Sequence, residues 1–322
     1  MPFRAALIAA AMATVAWSAS VARAGQGGAT GLYINAPNLE ELGDMFAHPD
    51  TWRDARSHLK GLVLADHMFG HVPDAEVGQW LAELKSWNLA LELEVGAVKE
   101  WSATGRNTFA IEAPQWRRII RLGSGFSSIA MDEPLVSARD SLHKPDAYAI
   151  EETAQFVAAV RAEFPDLLIG DIEAYPSIAF ADHLRWIAGL RARLAELGVR
   201  GIDFYRLDVD WIAFTAAHVG SWAEVKRLEE ACHNQGLPFS LIYWASDYPA
   251  KKAAGTARDA DWYDGVMAEG RAYAAVGGRP DQPVIESWVG APSHAVPDSA
   301  PWTFTRSVRD FAIAFPRETG RK

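Results

Sequence analysis

The chain has 322 residues, 49% hydrophobic and 22% charged, a balance that excludes a disordered or collagen-like polymer. Its 31 Lys and Arg against 41 Asp and Glu give a net charge of −10, which repels phosphate backbones and argues against a nucleic-acid partner. A lone cysteine, Cys232, rules out both an intrachain disulfide and a cysteine-built zinc cage.

Residues 1–24 read as a secretory leader. Arg4 supplies the positive start, 5–19 is apolar apart from Thr14 and Ser18, and Ala22-Arg23-Ala24 gives the small-x-small cleavage pattern. The apolar run is shorter than the ~20 residues of a spanning helix. The expectation is therefore a cleaved leader and one domain over 25–322, periplasmic or secreted and free of the membrane. Cleavage removes Arg4 and Arg23 and no acid, which takes the net charge from −10 to −12. It also removes Trp17, one of the 13 tryptophans.

Beyond the leader one pattern repeats. Short apolar runs rich in β-branched and aromatic residues predict strands at 31–37, 59–68, 89–98, 126–133, 167–175, 201–211, 238–246 and 283–288. Segments with helical spacing alternate with them, at 38–57, 74–87, 114–122, 146–164, 181–197, 222–234, 257–275 and 304–315. Asn38 and Asp74 are placed as N-caps and Pro114 near a helix start, while Gly198 and Gly236 fall just past helix ends. Strands alternating with helices imply a parallel sheet, and eight such units imply a single closed (β/α)8 barrel. An open doubly wound sheet fits less well, because Asn35-Ala36-Pro37-Asn38 follows the first strand where a glycine-rich loop is expected. The long connections are expected at 99–113 and 246–261.

Barrel enzymes carry their chemistry at the C-terminal ends of the strands. Carboxylates gather there in Asp66-His67, Glu92 and Glu94, Asp132-Glu133, Asp171 and Glu173, Asp208 and Asp210, and Glu286. Burying unpaired carboxylates costs several kcal/mol, so such a rim points to function. Crowding also separates pKa values, letting one acid stay protonated beside an ionised neighbour. Glu92 and Asp171 lie deeper and are read as internal partners, with Arg206 a candidate mate. Asp203 begins its strand and belongs to the opposite end. Tyr175, Trp211, Tyr243, Trp244 and Trp288 follow the same strands, and Trp101 and Trp262 lie close by. Flat rings beside carboxylates suit a sugar, whose C–H faces pack on rings while its hydroxyls bond to acids. The remaining tryptophans, at 52, 80, 87, 116, 186 and 222, read as helix packing, and Trp302 is unassigned. No Gly-x-Ser-x-Gly elbow occurs, and the first strand reads Tyr33-Ile34-Asn35 rather than the His-x-His of an amidohydrolase barrel.

Asp132-Glu133-Pro134 at the end of the fourth strand resembles the Asn-Glu-Pro motif of the large retaining clan of (β/α)8-barrel glycoside hydrolases. The resemblance implies that Glu133 is the acid/base and that Asp132 stands in for the Asn. That clan places its nucleophilic Glu on the seventh strand, where this chain has Tyr243-Trp244-Ala245-Ser246-Asp247; Glu286 lies one strand further on. The expectation is an exported glycoside hydrolase acting on an oligo- or polysaccharide, without cofactor or metal. Glu133 protonates the leaving oxygen, Glu173 is nucleophile or base, and Asp210 and Glu286 are reserves for that second role. Asn35, Asp66, Asp132, Asp208, Trp211, Tyr243, Trp244 and Trp288 are placed as substrate contacts. The alternatives are a glycan-binding barrel without catalysis and a metal-dependent hydrolase.

Overall fold

The computed structural model describes residues 30–123 and 125–316, the side chain of Thr215 aside. The expected leader lies outside these residues. Eight parallel strands close into a barrel in chain order: β1 (Leu32–Asn35), β2 (Leu59–Ala65), β3 (Ala90–Val95), β4 (Ser128–Asp132), β5 (Leu168–Tyr175), β6 (Phe204–Val209), β7 (Phe239–Tyr243) and β8 (Gln282–Glu286). β8 returns to β1 through Tyr33, Ile34 and Asn35 opposite Val284, Ile285 and Glu286. This is the single (β/α)8 barrel expected from the alternation, with each predicted apolar run holding one strand.

Eight principal helices cover the barrel: α1 (Leu39–Ala47), α2 (Asp74–Ser86), α3 (Gly105–Arg121), α4 (Asp146–Glu163), α5 (Phe180–Glu196), α6 (Trp222–Asn234), α7 (Asp259–Ala275) and α8 (Phe304–Ala314). Asn38 caps α1 as expected, accepting the Glu41 N–H at 2.9 Å. The continuous helix expected over 38–57 is instead broken at His48-Pro49, because proline cannot supply the N–H that would continue it. Asp74 is the first helical residue and Pro73 the cap, so Asp74 serves the positive helix end rather than an orphan N–H. Pro114 lies inside α3, which begins at Gly105. Buried Thr108 and Glu112 before it and Trp116 and Ile119 after it hold both halves to the core and outweigh the lost backbone bond. Gly198 and Gly236 take the left-handed conformation past the ends of α5 and α6, φ +68° and +69°.

Strand side chains alternate between two cores. Tyr33, Val63, Ala130, Ile172, Phe204, Ile242, Trp244 and Val284 meet inside the barrel. Their neighbours, such as Ile34, Leu64, Ile129, Tyr205 and Leu241, pack outward against the helices. The period of two then fixes which rim residues face the mouth. Asn35, Glu94, Asp132, Asp208, Trp244 and Glu286 occupy inward positions at the C-terminal strand ends, whereas Asp171, Glu173 and Tyr175 occupy outward positions on β5.

Candidate active site at the barrel mouth

The floor of the mouth is a buried polar layer. Arg206 on β6 donates to Glu92 on β3 at 2.6 Å, to Ser240 on β7 at 2.8 Å and to Gln282 on β8 at 2.9 Å. Arg206 and Glu92 are both fully buried, so each relies on the other for its charge. Glu92 is thus the expected internal partner of Arg206. Asp171 is not: it lies outside the barrel wall and accepts the indole N–H of Trp186 on α5 at 2.5 Å. Asp203 closes the opposite end as expected, accepting from Arg161 at 2.6 Å and from the Ile169 N–H at 2.8 Å.

Above that floor, four strands bring a carboxylate into one space. Glu286 accepts from the Asn35 amide at 2.8 Å, and its second oxygen is buried without a partner. Burial raises its pKa to about 7 against the opposing pull of Arg206 and Asn35. Asp208, with one buried unpartnered oxygen, is pushed well up by burial and by the charges of Glu133, Glu286 and Asp132. Burial, then Glu286 and Asp132, raise Glu94 likewise. Asp132 is held by the Lys99 ammonium at 2.5 Å. All four occupy inward positions at the ends of β3, β4, β6 and β8, so these acids face one another across the mouth.

Glu133 follows β4 directly. It sits in the left-handed region at φ +48°, an uncommon conformation for a residue with a Cβ. Its N–H donates to the Ile172 carbonyl on β5 at 3.0 Å. The carboxyl takes no hydrogen bond among the described residues and is partly open to solvent. Burial and the charge of Asp132 lift its pKa to about 7, with Lys99 opposing. A carboxylic acid with a pKa close to neutral is suited to donate a proton.

A cavity of about 560 Å³ adjoins the mouth, lined in part by Asp66, Glu94, Lys99, Trp101, Glu112 and Asp132. Trp101 is half exposed there, and Asp66 is buried, accepting the Trp116 indole N–H at 3.0 Å. On the far side Trp244 and Trp288 pack with ring centroids 4.2 Å apart, Trp288 being 47% exposed. A second cavity of about 310 Å³ lies by Gly201 and Asp203, at the other end of the barrel from the carboxylates.

Other expected site residues lie elsewhere. Both oxygens of Glu173 are taken by backbone, the Leu135 N–H at 2.6 Å and the Val136 N–H at 3.3 Å, and the side chain is fully buried outside the wall. Asp210 is exposed and accepts the Ile212 N–H at 3.2 Å, so it starts the short helix Ile212–Ala216. Tyr243 points outward and packs on Phe311 of α8, with centroids 4.7 Å apart. The Tyr175 hydroxyl, also outward, donates to Glu224 of α6. Trp262 is not at the rim: it is fully buried in α7 against Phe304. Trp211 is half-buried after β6, its indole N–H without a partner.

Three residues that bear on the site were not singled out from sequence. Lys99 holds Asp132. Glu112 on α3 lines the cavity, accepts the Gly96 N–H at 2.7 Å, and is raised to about 9 by burial and Asp66. Glu269, fully buried on α7, accepts the Trp244 N–H at 3.1 Å. An acid inside the apolar stretch Val266-Met267-Ala268-Glu269 was the available signal. The long connection after β8, 287–303, was also missed. The segment after β3 is shorter than expected because α3 starts at Gly105.

No protein-family model matches the chain, and no curated protein resembles it in sequence. Solved structures resemble it in fold. A glucosidase from Croceicoccus marinus is 15% identical at a TM-score of 0.51, over 89% of this chain and 68% of that one. A putative alpha-L-fucosidase from Bacteroides thetaiotaomicron VPI-5482 is 9% identical at 0.51, over 89% and 96%. A D-psicose 3-epimerase from Clostridium cellulolyticum H10 is 13% identical at 0.51, over 88% and 97%. Glycosidases and a sugar epimerase thus share the architecture, and the likeness reaches the barrel alone. Among the described residues no group of three or more His, Cys, Asp or Glu is arranged to hold a metal ion. No described helix is long and apolar enough to cross a membrane.

Proposed function

We propose that the chain is an exported glycoside hydrolase acting on an oligo- or polysaccharide. The observation that carries the reading is the mouth itself, where Glu94, Asp132, Asp208 and Glu286 face one another beside Glu133, between Trp101 and the Trp244–Trp288 pair. Glu133 is the proton donor to the leaving oxygen, kept protonated near neutrality by burial and Asp132. Glu286 takes the second role, as nucleophile or as base for water. It is the one of the three candidates for that role whose side chain faces the mouth, and Asn35 fixes its first oxygen and leaves the second free. Asp208 and the Lys99–Asp132 pair bind sugar hydroxyls, and the tryptophans pack on sugar faces.

Cleavage in H₂¹⁸O tests the reaction type. Hydrolysis puts one ¹⁸O at each new reducing end, read by mass spectrometry of the released oligosaccharides. Glycan bound without any labelled product would instead favour a binding barrel.

A further inference from the structure

The structure assigns Glu173 as a positioning residue that holds the proton donor Glu133 in place from outside the barrel wall. This rests on the hydrolase reading above for its consequence, though its geometry stands apart from it. Glu133 is the hinge between β4 and the short helix Pro134–Val136, and it turns there with φ +48°. Pro134 has no N–H, so the first amides of that helix free to be held are those of Leu135 and Val136. Both point at Glu173 on the next strand, at 2.6 and 3.3 Å. On the strand side the Glu133 N–H is tied to the carbonyl of Ile172, the residue just before Glu173. The end of β5 therefore grips the chain on both sides of Glu133. Leu135 is itself fully buried, which leaves the short helix little freedom to drift.

This arrangement explains why a hydrogen-bond acceptor of this length stands at a site that sees no solvent. A buried acid beside other acids is held only if it satisfies donors that nothing else reaches. The same device recurs after β7. Ala245 turns with φ +50°, and the fully buried Glu269 holds the Trp244 N–H just before it. Two rim turns in uncommon backbone conformations are thus each secured by an acid placed behind the wall.

Glu173→Gln, Glu173→Asp and Glu173→Ala separate this role from a nucleophile. Gln keeps an oxygen that accepts the Leu135 N–H, whereas Asp withdraws its carboxyl by one methylene and Ala removes it. The expectation is that Gln keeps kcat within a few-fold. Asp and Ala lose about 100-fold in kcat with little change in KM, as a small misplacement of a catalytic group does. A readout independent of turnover is hydrogen exchange at the Leu135 amide, protected in wild type and Gln and unprotected in Ala, while the Val136 amide, whose acceptor becomes an amide nitrogen in Gln, loses protection in both variants. A dead Gln variant with a protected Leu135 amide would overturn the assignment in favour of direct chemistry. Wild-type kcat in a folded Ala or Asp variant would overturn it in favour of simple packing. If wild type turned over no glycan, the hydrolase reading would fall while the amide protection still decided what Glu173 holds.

Discussion

Replacing Glu133 with Gln should stabilise the protein above neutral pH while removing its proton donor. In the folded protein the Glu133 carboxyl has a pKa of about 7, against an ordinary 4.5. Between those values the folded state holds a proton that the unfolded chain has released. Stability is therefore full below about pH 4.5, falls as pH rises toward 7, and stays low above it. The rise corresponds to about 3 kcal/mol at ~1.4 kcal/mol per pH unit, reduced to about 2 kcal/mol because the side chain is partly open to solvent. Gln carries no such cost, and the carboxyl it replaces takes no protein hydrogen bond among the described residues. Both side chains share the positive φ, so the backbone contributes equally to each. Urea unfolding of wild type and Glu133→Gln should give equal free energies near pH 4.5, with the variant ahead by about 2 kcal/mol at pH 8. A variant less stable at pH 8, or a difference that does not change with pH, would refute the electrostatic account of this site.

Other substitutions probe the floor, the aromatic walls and the local field. Arg206→Met leaves Glu92 buried without its cation and should cost about 3–5 kcal/mol in urea unfolding, and it removes the charge that holds the Glu286 pKa down. Trp262→Ala should cost about 3–5 kcal/mol, since the ring is fully buried against Phe304. Trp288→Ala should leave stability within about 0.5 kcal/mol and raise KM about tenfold. The opposite ranking of these two tryptophans would refute the placement of the sugar wall. Lys99→Met removes the cation that restrains the Glu133 pKa, so the basic limb of the pH–rate profile should move to higher pH. A limb unmoved or shifted down would detach Glu133 from that limb.

The barrel was legible in the sequence because every strand is a short β-rich run followed by a segment of helical period. The direction in which rim acids point was not. In a parallel barrel both faces of a strand are buried, so hydrophobic alternation does not tell inside from outside. On β5 the run Asp171-Ile172-Glu173 reads as acids facing a polar mouth. In the structure Ile172 fills the barrel interior and both acids lie behind the wall, one on Trp186 and one on backbone amides. On β3 the same spacing puts Glu92 and Glu94 inside. Only cross-strand register separates the two cases. Tyr243 was misread for the same reason. Asp210 sits one residue past the last paired residue of β6 and caps a turn that no strand pattern predicts. The Asp132-Glu133-Pro134 motif, by contrast, marked a strand end whose acid is partly open to solvent and takes no hydrogen bond among the described residues.

The most direct test is reducing-end release from a panel of neutral, acidic and amino-sugar polysaccharides by wild type, Glu133→Gln and Glu286→Gln. The account predicts turnover of at least one polymer by wild type and a fall of at least 100-fold in each variant, with both variants still folded. Undiminished turnover by Glu133→Gln on the same polymer would contradict it.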